Sequence, residues 1–90
     1  MSLIIETEGI GNIARTVEGT PLEFDDEYPP NQIIDHLVKG TTLTIGAKES
    51  EDGWKFAKWT VNGEDYSTDE QTTITADEDL QIMAVFEFAE

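Results

Sequence analysis

The stretch Gly53-Trp54-Lys55-Phe56-Ala57-Lys58-Trp59, with Asn62-Gly63 close behind it, constrains this chain more than any other part of it. Asn-Gly after an alternating apolar run is the strongest short-range signal for a β-hairpin, because both residues accept the positive φ of a tight turn. The segment therefore reads as a strand that turns at Asn62-Gly63 and returns through Glu64-Asp65-Tyr66. Its inward residues are Trp54 and Phe56, then Trp59 and Val61. The step from 56 to 59 breaks the period of two, so a β-bulge is expected near Ala57-Lys58.

These aromatics have two readings. Exposed, Trp54, Phe56 and Trp59 would form a platform for carbohydrate, since sugars stack on aromatic faces. Buried, they are the core. With only four Phe, two Tyr and two Trp in the chain, few can stay outside a folded domain, so the core reading is preferred. Trp59 is expected deepest and Trp54 least firmly inside.

The rest of the chain is mostly strand-like. Leu3-Ile4-Ile5-Glu6-Thr7 is short and β-branched, a first strand. Gly9-Ile10-Gly11-Asn12 breaks it, and Ile13-Ala14-Arg15-Thr16-Val17 reads as the returning strand. Gly19-Thr20-Pro21 is a turn. Leu22-Glu23-Phe24 either extends a strand or plugs the core, and Asp25 to Pro30 is an acidic, proline-containing loop. Residues 31–39 hold the one helix candidate. Asn31 would cap it, Ile33, Ile34, Leu37 and Val38 share one helical face, and Gly40 would end it. The rival there is a loop into a short strand at His36-Leu37-Val38. Thr41-Thr42-Leu43-Thr44-Ile45 alternates cleanly, with Leu43, Ile45 and Ala47 inward. Thr72 to Ala76 is a strand and Asp77-Glu78-Asp79 a tight turn. Leu80, Ile82, Ala84, Phe86 and Phe88 then line one face of a long last strand. Met83 and Val85 make its other face apolar, so it is expected to be central or covered on both sides. The expected class is α+β, predominantly β, with at most one short helix at about 31–39, and residues 1–90 form a single module.

Ninety residues bury roughly 60–65% of their unfolded surface, enough for one modest core. The chain has no cysteine, so no disulfide or thiolate metal site supports it. Twenty acidic against five basic residues give a net charge of −15. That balance argues against nucleic acid and against an anionic membrane as partners, since phosphate is held by Lys and Arg clusters. It suits a hydrated surface that resists self-association. No apolar run approaches the length of a membrane span. Met1-Ser2-Leu3-Ile4-Ile5-Glu6 is too short and too acidic for a signal peptide.

Nothing in the sequence forms a catalytic constellation, and no enzyme activity, cofactor or metal site is expected. His36 is the single histidine. Asp35 beside it cannot face it on either a helix or a strand. The acidic runs Asp25-Asp26-Glu27, Asp65 to Glu70 and Asp77-Glu78-Asp79 carry the oxygen ligands that Ca²⁺ takes, but none has the spacing of an EF-hand loop. Turn-forming Asp and a solvated rim account for all three.

Taken in order, several segments resemble the divergent internalin-type B-repeat, a module found in tandem on bacterial surface proteins. They are Gly9-Ile10-Gly11-Asn12-Ile13, then Lys39-Gly40-Thr41-Thr42-Leu43-Thr44-Ile45, then the Gly-aromatic-x-Phe-x-x-Trp unit at 53–59, then Thr73-Ile74-Thr75 and Met83-Ala84-Val85-Phe86. The stretch from Leu22 to Leu37 departs from the family pattern by being longer. The resemblance implies a small β-grasp-like sheet domain that acts as a spacer or adhesion unit of a cell-surface or secreted protein. As such a unit it would have neighbouring modules in a parent chain that carries the signal peptide and wall anchor elsewhere, with room for a protein or glycan ligand that the sequence does not identify. It brings no catalytic residues. The rival expectation is a free-standing acidic protein, cytosolic or phage-encoded, that binds a basic protein partner by imitating nucleic acid. Such mimicry needs carboxylates in a stripe along one face, whereas a spacer scatters them.

Overall fold

The protein was analysed as a computed structural model that describes residues 2–17, 21–24, 27, 30–49 and 53–88. The described residues hold eight strands. These are β1 (Ser2–Glu8), β2 (Asn12–Val17), β3 (Gln32–His36), β4 (Thr41–Lys48), β5 (Trp54–Val61), β6 (Glu64–Ser67), β7 (Gln71–Ala76) and β8 (Leu80–Phe88). A five-stranded sheet runs β3-β1-β8-β5-β6 and a three-stranded sheet runs β2-β4-β7. Every pairing is antiparallel except β1 with β8, which run parallel from Leu3↔Leu80 to Glu8↔Val85.

One core lies between the two sheets. Leu3, Ile5, Trp59, Ile82, Ala84 and Phe86 line it from the large sheet, and Ile13, Leu43, Ile45, Ala47, Ile74 and Ala76 from the small one. Leu43 and Ile45 are fully buried, as the alternation in β4 requires. β8 is central, with Leu80, Ile82, Ala84 and Phe86 inward and Val85 buried on the opposite face.

The aromatic hairpin forms as its sequence dictates. Asn62 (φ 51°) and Gly63 (φ 86°) both take positive φ, the signature of a type I′ turn whose twist matches that of the flanking strands. Asn62 locks the turn further. Its Oδ1 accepts the Gln81 N–H at 2.9 Å, and its own N–H donates to the Gln81 carbonyl at 2.8 Å. The register against β8 passes from Phe56↔Phe86 to Lys58↔Val85, so Ala57 is the bulged residue. Trp59 is fully buried, and its indole N–H donates to the Asp69 carbonyl at 3.0 Å. Trp54 is half-buried at the sheet end, edge-on to Phe88 with ring centroids 5.4 Å apart. The core reading of the aromatics therefore holds.

Three expectations are corrected. Residues 31–39 form no helix. Gln32–His36 is a strand on the free edge of β1, with Ile33↔Ile5 and Ile34↔Ile4. Ile33, Ile34, Leu37 and Val38 fit a helical face, but β-branched pairs fit an open sheet edge as well, and the edge was there to be filled. The rival strand at 36–38 fails too, because β3 ends at His36. Gly40 (φ 91°) belongs to the turn closed by Thr41 N–H to the Val38 carbonyl at 3.1 Å. The described residues are thus all-β, and a β-grasp layout has no helix among them to grip.

β2, second, does not return along β1. It crosses to the other sheet and pairs with β4, because both edges of β1 are taken by β3 and β8. Gly11 makes the crossing over the face of Phe86, where an added Cβ would fall within the ring at less than 3.0 Å. Third, Leu22 and Phe24 neither extend a strand nor enter the main core. They lie over Gly46 on the outer face of the small sheet, the face given by the pairs Ala14↔Gly46 and Thr16↔Thr44. The Lys48 ammonium sits 5.8 Å from the Phe24 ring centre. Asp25, Asp26, Tyr28 and Pro29 lie outside the described residues.

Candidate functional site

Asp35 and His36 are neighbours on β3 and point to opposite faces of the sheet. Asp35 faces inward, where its carboxylate forms an ion pair with Arg15 on β2 and accepts the backbone N–H of His36 at 2.9 Å. This ion pair ties the edge of the large sheet to the edge of the small one. His36 is exposed beside the start of β1. The two side chains are not brought together for chemistry.

The carboxylates are spread over the molecule. Asp77, Glu78 and Asp79 occupy the β7–β8 turn, Asp69 and Glu70 the β6–β7 loop, and Glu49 the end of β4. Glu6, Glu8 and Glu87 lie on the outer face of the large sheet, opposite Met83, Val85 and Lys55. Several have structural partners. Asp79 accepts the Ser2 N–H at 2.9 Å, Glu78 accepts from the Asn62 amide at 3.3 Å, and Glu49 pairs with Lys55 at 3.1 Å. Among the described residues no three His, Asp or Glu side chains converge to hold a metal ion.

Among the described residues, clefts open on two opposite flanks. One, of about 320 Å³, lies between β2 and β3 and is lined by Ile13, Ala14, Arg15, Glu23, Pro30 and Ile33. Its Arg15 is committed to the ion pair with Asp35. The other, of about 380 Å³, lies on β6 and is lined by Lys58, Asp65, Tyr66, Ser67 and Thr68. Here the register against β5 slips from Trp59↔Ser67 to Thr60↔Asp65, so Tyr66 is the extra residue of a second bulge. A bulge takes a side chain out of strict alternation and re-aims it. The Tyr66 hydroxyl donates to the Thr73 carbonyl on β7 at 2.6 Å, bridging the sheet edges, while the residue stays 46% exposed. The Lys58 ammonium meets the Asp65 carboxylate at 2.8 Å. Its pKa is held above the ordinary lysine value, first by that hydrogen bond, then by the Asp65 charge, with Glu87 and Glu8 adding to it. The sequence placed Tyr66 only as part of a return strand. The isolated aromatic within Glu64-Asp65-Tyr66-Ser67-Thr68 was the one available signal.

Comparison with known families gives a match over the C-terminal part of the chain. The family model for the Divergent InlB B-repeat domain matches residues 34–90, more than half of the chain. The match begins where the long departure noted in the sequence is ending. It takes in the end of β3 and all of β4 to β8, and leaves β1, β2 and the first two residues of β3 outside it. No curated protein and no solved structure matches the chain.

Proposed function

We propose that this chain, which belongs to the Divergent InlB B-repeat family, is a non-enzymatic spacer module of a bacterial surface protein, holding other parts of a longer chain apart. The observation that carries this reading is the parallel pairing of β1 with β8. Parallel neighbours begin at the same end of a sheet, so the module's first strand starts where its last strand starts. The last strand then runs the length of the sheet before leaving it. Leu3 sits opposite Leu80, and the path from Leu80 to Phe88 covers roughly 26 Å at the rise of a β-strand. The polypeptide thus enters at one end and leaves at the other. Modules joined in this way add length, whereas a module with adjacent termini would hang from the chain as a side branch.

The charge supports the same role. Acids at both ends and on the outer face keep the module hydrated and discourage sideways association. Their spread over turns and faces is a poor match for the stripe that nucleic-acid mimicry requires, and so does not favour the rival reading. Membership of a family typical of bacterial surface proteins supports placement at the cell surface.

The test is small-angle scattering from a chain carrying two copies joined end to end. One module has a longest extent of 41 Å. An in-line pair has a maximum dimension close to twice that. A maximum dimension near that of the single module would mean that the copies fold back on one another, and would end the spacer reading.

A further inference from the structure

The cleft at Tyr66 has features that a spacer does not need. Part of its lining is braced before any ligand arrives. The Tyr66 ring is held by its hydroxyl on the Thr73 carbonyl. The Asp69 N–H donates to the Ser67 hydroxyl at 3.1 Å, and the Trp59 indole pins the Asp69 carbonyl from the core side. Two hydrogen bonds thus hold the 66–69 segment against the sandwich and a third braces it internally, which removes part of the ordering cost of binding.

The groups left over are those that recognise a sugar ring. The Tyr66 hydroxyl is engaged, so the exposed part of the residue is its ring, an apolar surface for the C–H face of a pyranose. Asp65 uses Oδ1 on Lys58 and its side chain is 75% exposed, so Oδ2 faces solvent as an acceptor. The Lys58 ammonium has three N–H donors, of which Asp65 takes one. Ser67 accepts from Asp69 through its oxygen, and its own O–H remains to donate. The cleft volume falls within the range of about 300–1,000 Å³ usual for small-ligand sites. Charge narrows the class further. Lys58 already feels Asp65, Glu87 and Glu8, and the chain carries −15 overall, so acidic sugars are repelled.

We propose that the cleft formed by Lys58, Asp65, Tyr66, Ser67 and Thr68 binds a neutral pyranose unit of a glycan, with the ring stacked on Tyr66 and its hydroxyls shared between Asp65 and Lys58. This deepens the surface-module reading by giving the module a ligand class. The two are separable, because sugar binding can fail while the two-copy chain still scatters as an extended rod.

The test is an amide NMR titration of the full chain with maltotriose, triacetylchitotriose and mannotriose. An open site of this kind has a Kd on the order of 1 mM, so titration to about 20 mM reaches saturation. At least one sugar shifts the amides of residues 65–69 with little change elsewhere. Tyr66→Ala weakens that sugar at least tenfold. Tyr66→Phe, which keeps the ring and removes the brace to β7, retains binding within a few-fold. Asp65→Asn and Lys58→Met, both at the surface, each weaken it several-fold, and they carry the test if Tyr66→Ala does not fold. The proposal is overturned if none of the three sugars moves these amides. It is also overturned if the shifts lie elsewhere, or if they persist unchanged in Asp65→Asn and Lys58→Met.

Discussion

Gly11→Ala is the substitution whose effect follows most directly from the packing. Gly11 has no positive φ, so backbone strain plays no part and the cost is steric. A methyl group at this position falls inside the Phe86 ring, closer than 3.0 Å to three of its carbons. Phe86 is 2% exposed and cannot simply swing aside, because Phe56 stands edge-on to it with centroids 5.8 Å apart. Either the core strains around the extra methyl, at about 1–3 kcal/mol, or Phe86 is pushed out and loses roughly 1.5–3 kcal/mol of burial. Both routes centre on about 2 kcal/mol, which in a domain of this size lowers Tm by on the order of 8–16 °C. Urea unfolding followed by Trp fluorescence measures it. The decisive control is a double-mutant cycle with Phe86→Leu, whose smaller side chain leaves room for the methyl. The cost of Gly11→Ala should then shrink, with a coupling of about 1–2 kcal/mol. A cost within about 0.5 kcal/mol of zero, or one unchanged in the Phe86→Leu background, would refute the argument that β2 crosses to the other sheet by way of this contact.

Other expectations follow from particular residues. In acrylamide quenching of Trp54→Phe and Trp59→Phe variants, Trp59 should be nearly unquenched and Trp54 partly quenched; free quenching of Trp59 would contradict its place in the core. Asn62→Ala loses a residue tolerant of positive φ and the bond to Gln81 N–H, and should cost about 1–2 kcal/mol in chemical denaturation. The raised pKa of Lys58 means that the ion pair's contribution is fully present below the ordinary lysine value of 10.5 and is lost as pH climbs through the raised value. Tm should therefore fall on the alkaline side above about pH 10.5, with a shallower fall in Lys58→Met; identical limbs would exclude the linkage. A fragment of residues 34–90 bares the β8 edge that β1 covers and the β4 edge that β2 covers, so it should be unfolded or aggregated by circular dichroism and gel filtration. A monomeric fragment with the parent Tm would show that the N-terminal strands are dispensable.

The parts of the fold that were legible in the sequence are those encoded locally. The hairpin at Asn62-Gly63 and the bulge at Ala57 are written in a turn dipeptide and a slipped alternation. The central place of β8 is written in Met83 and Val85, which make its second face apolar. What was not legible depends on partners far away in the chain. Ile33-Ile34 reads as helix until β1 offers an edge, and the glycines at 9 and 11 read as a hairpin turn until Phe86 arrives beneath Gly11. The parallel contact of β1 with β8 joins the first strand to the last and has no local trace, yet it decides the module's geometry. The candidate site was hidden for the same reason. The bulge at Tyr66 is set by pairing with β5, and the anchor of its hydroxyl lies on β7. The aromatic cluster packs on the core, while Tyr66, the one aromatic of a polar strand, stays partly exposed.

The central claim is that the chain enters and leaves at opposite ends, and a distance measurement tests it most directly. The chain has no cysteine, so Ser2→Cys and Glu87→Cys place two unique spin labels, both on the outer face of the large sheet. Pulsed dipolar spectroscopy should give a single peak at roughly 25–35 Å, from the strand rise of β8 plus the label arms. A peak below about 20 Å would place the two ends side by side, contrary to a parallel β1–β8 pair, and the spacer account would fall with it.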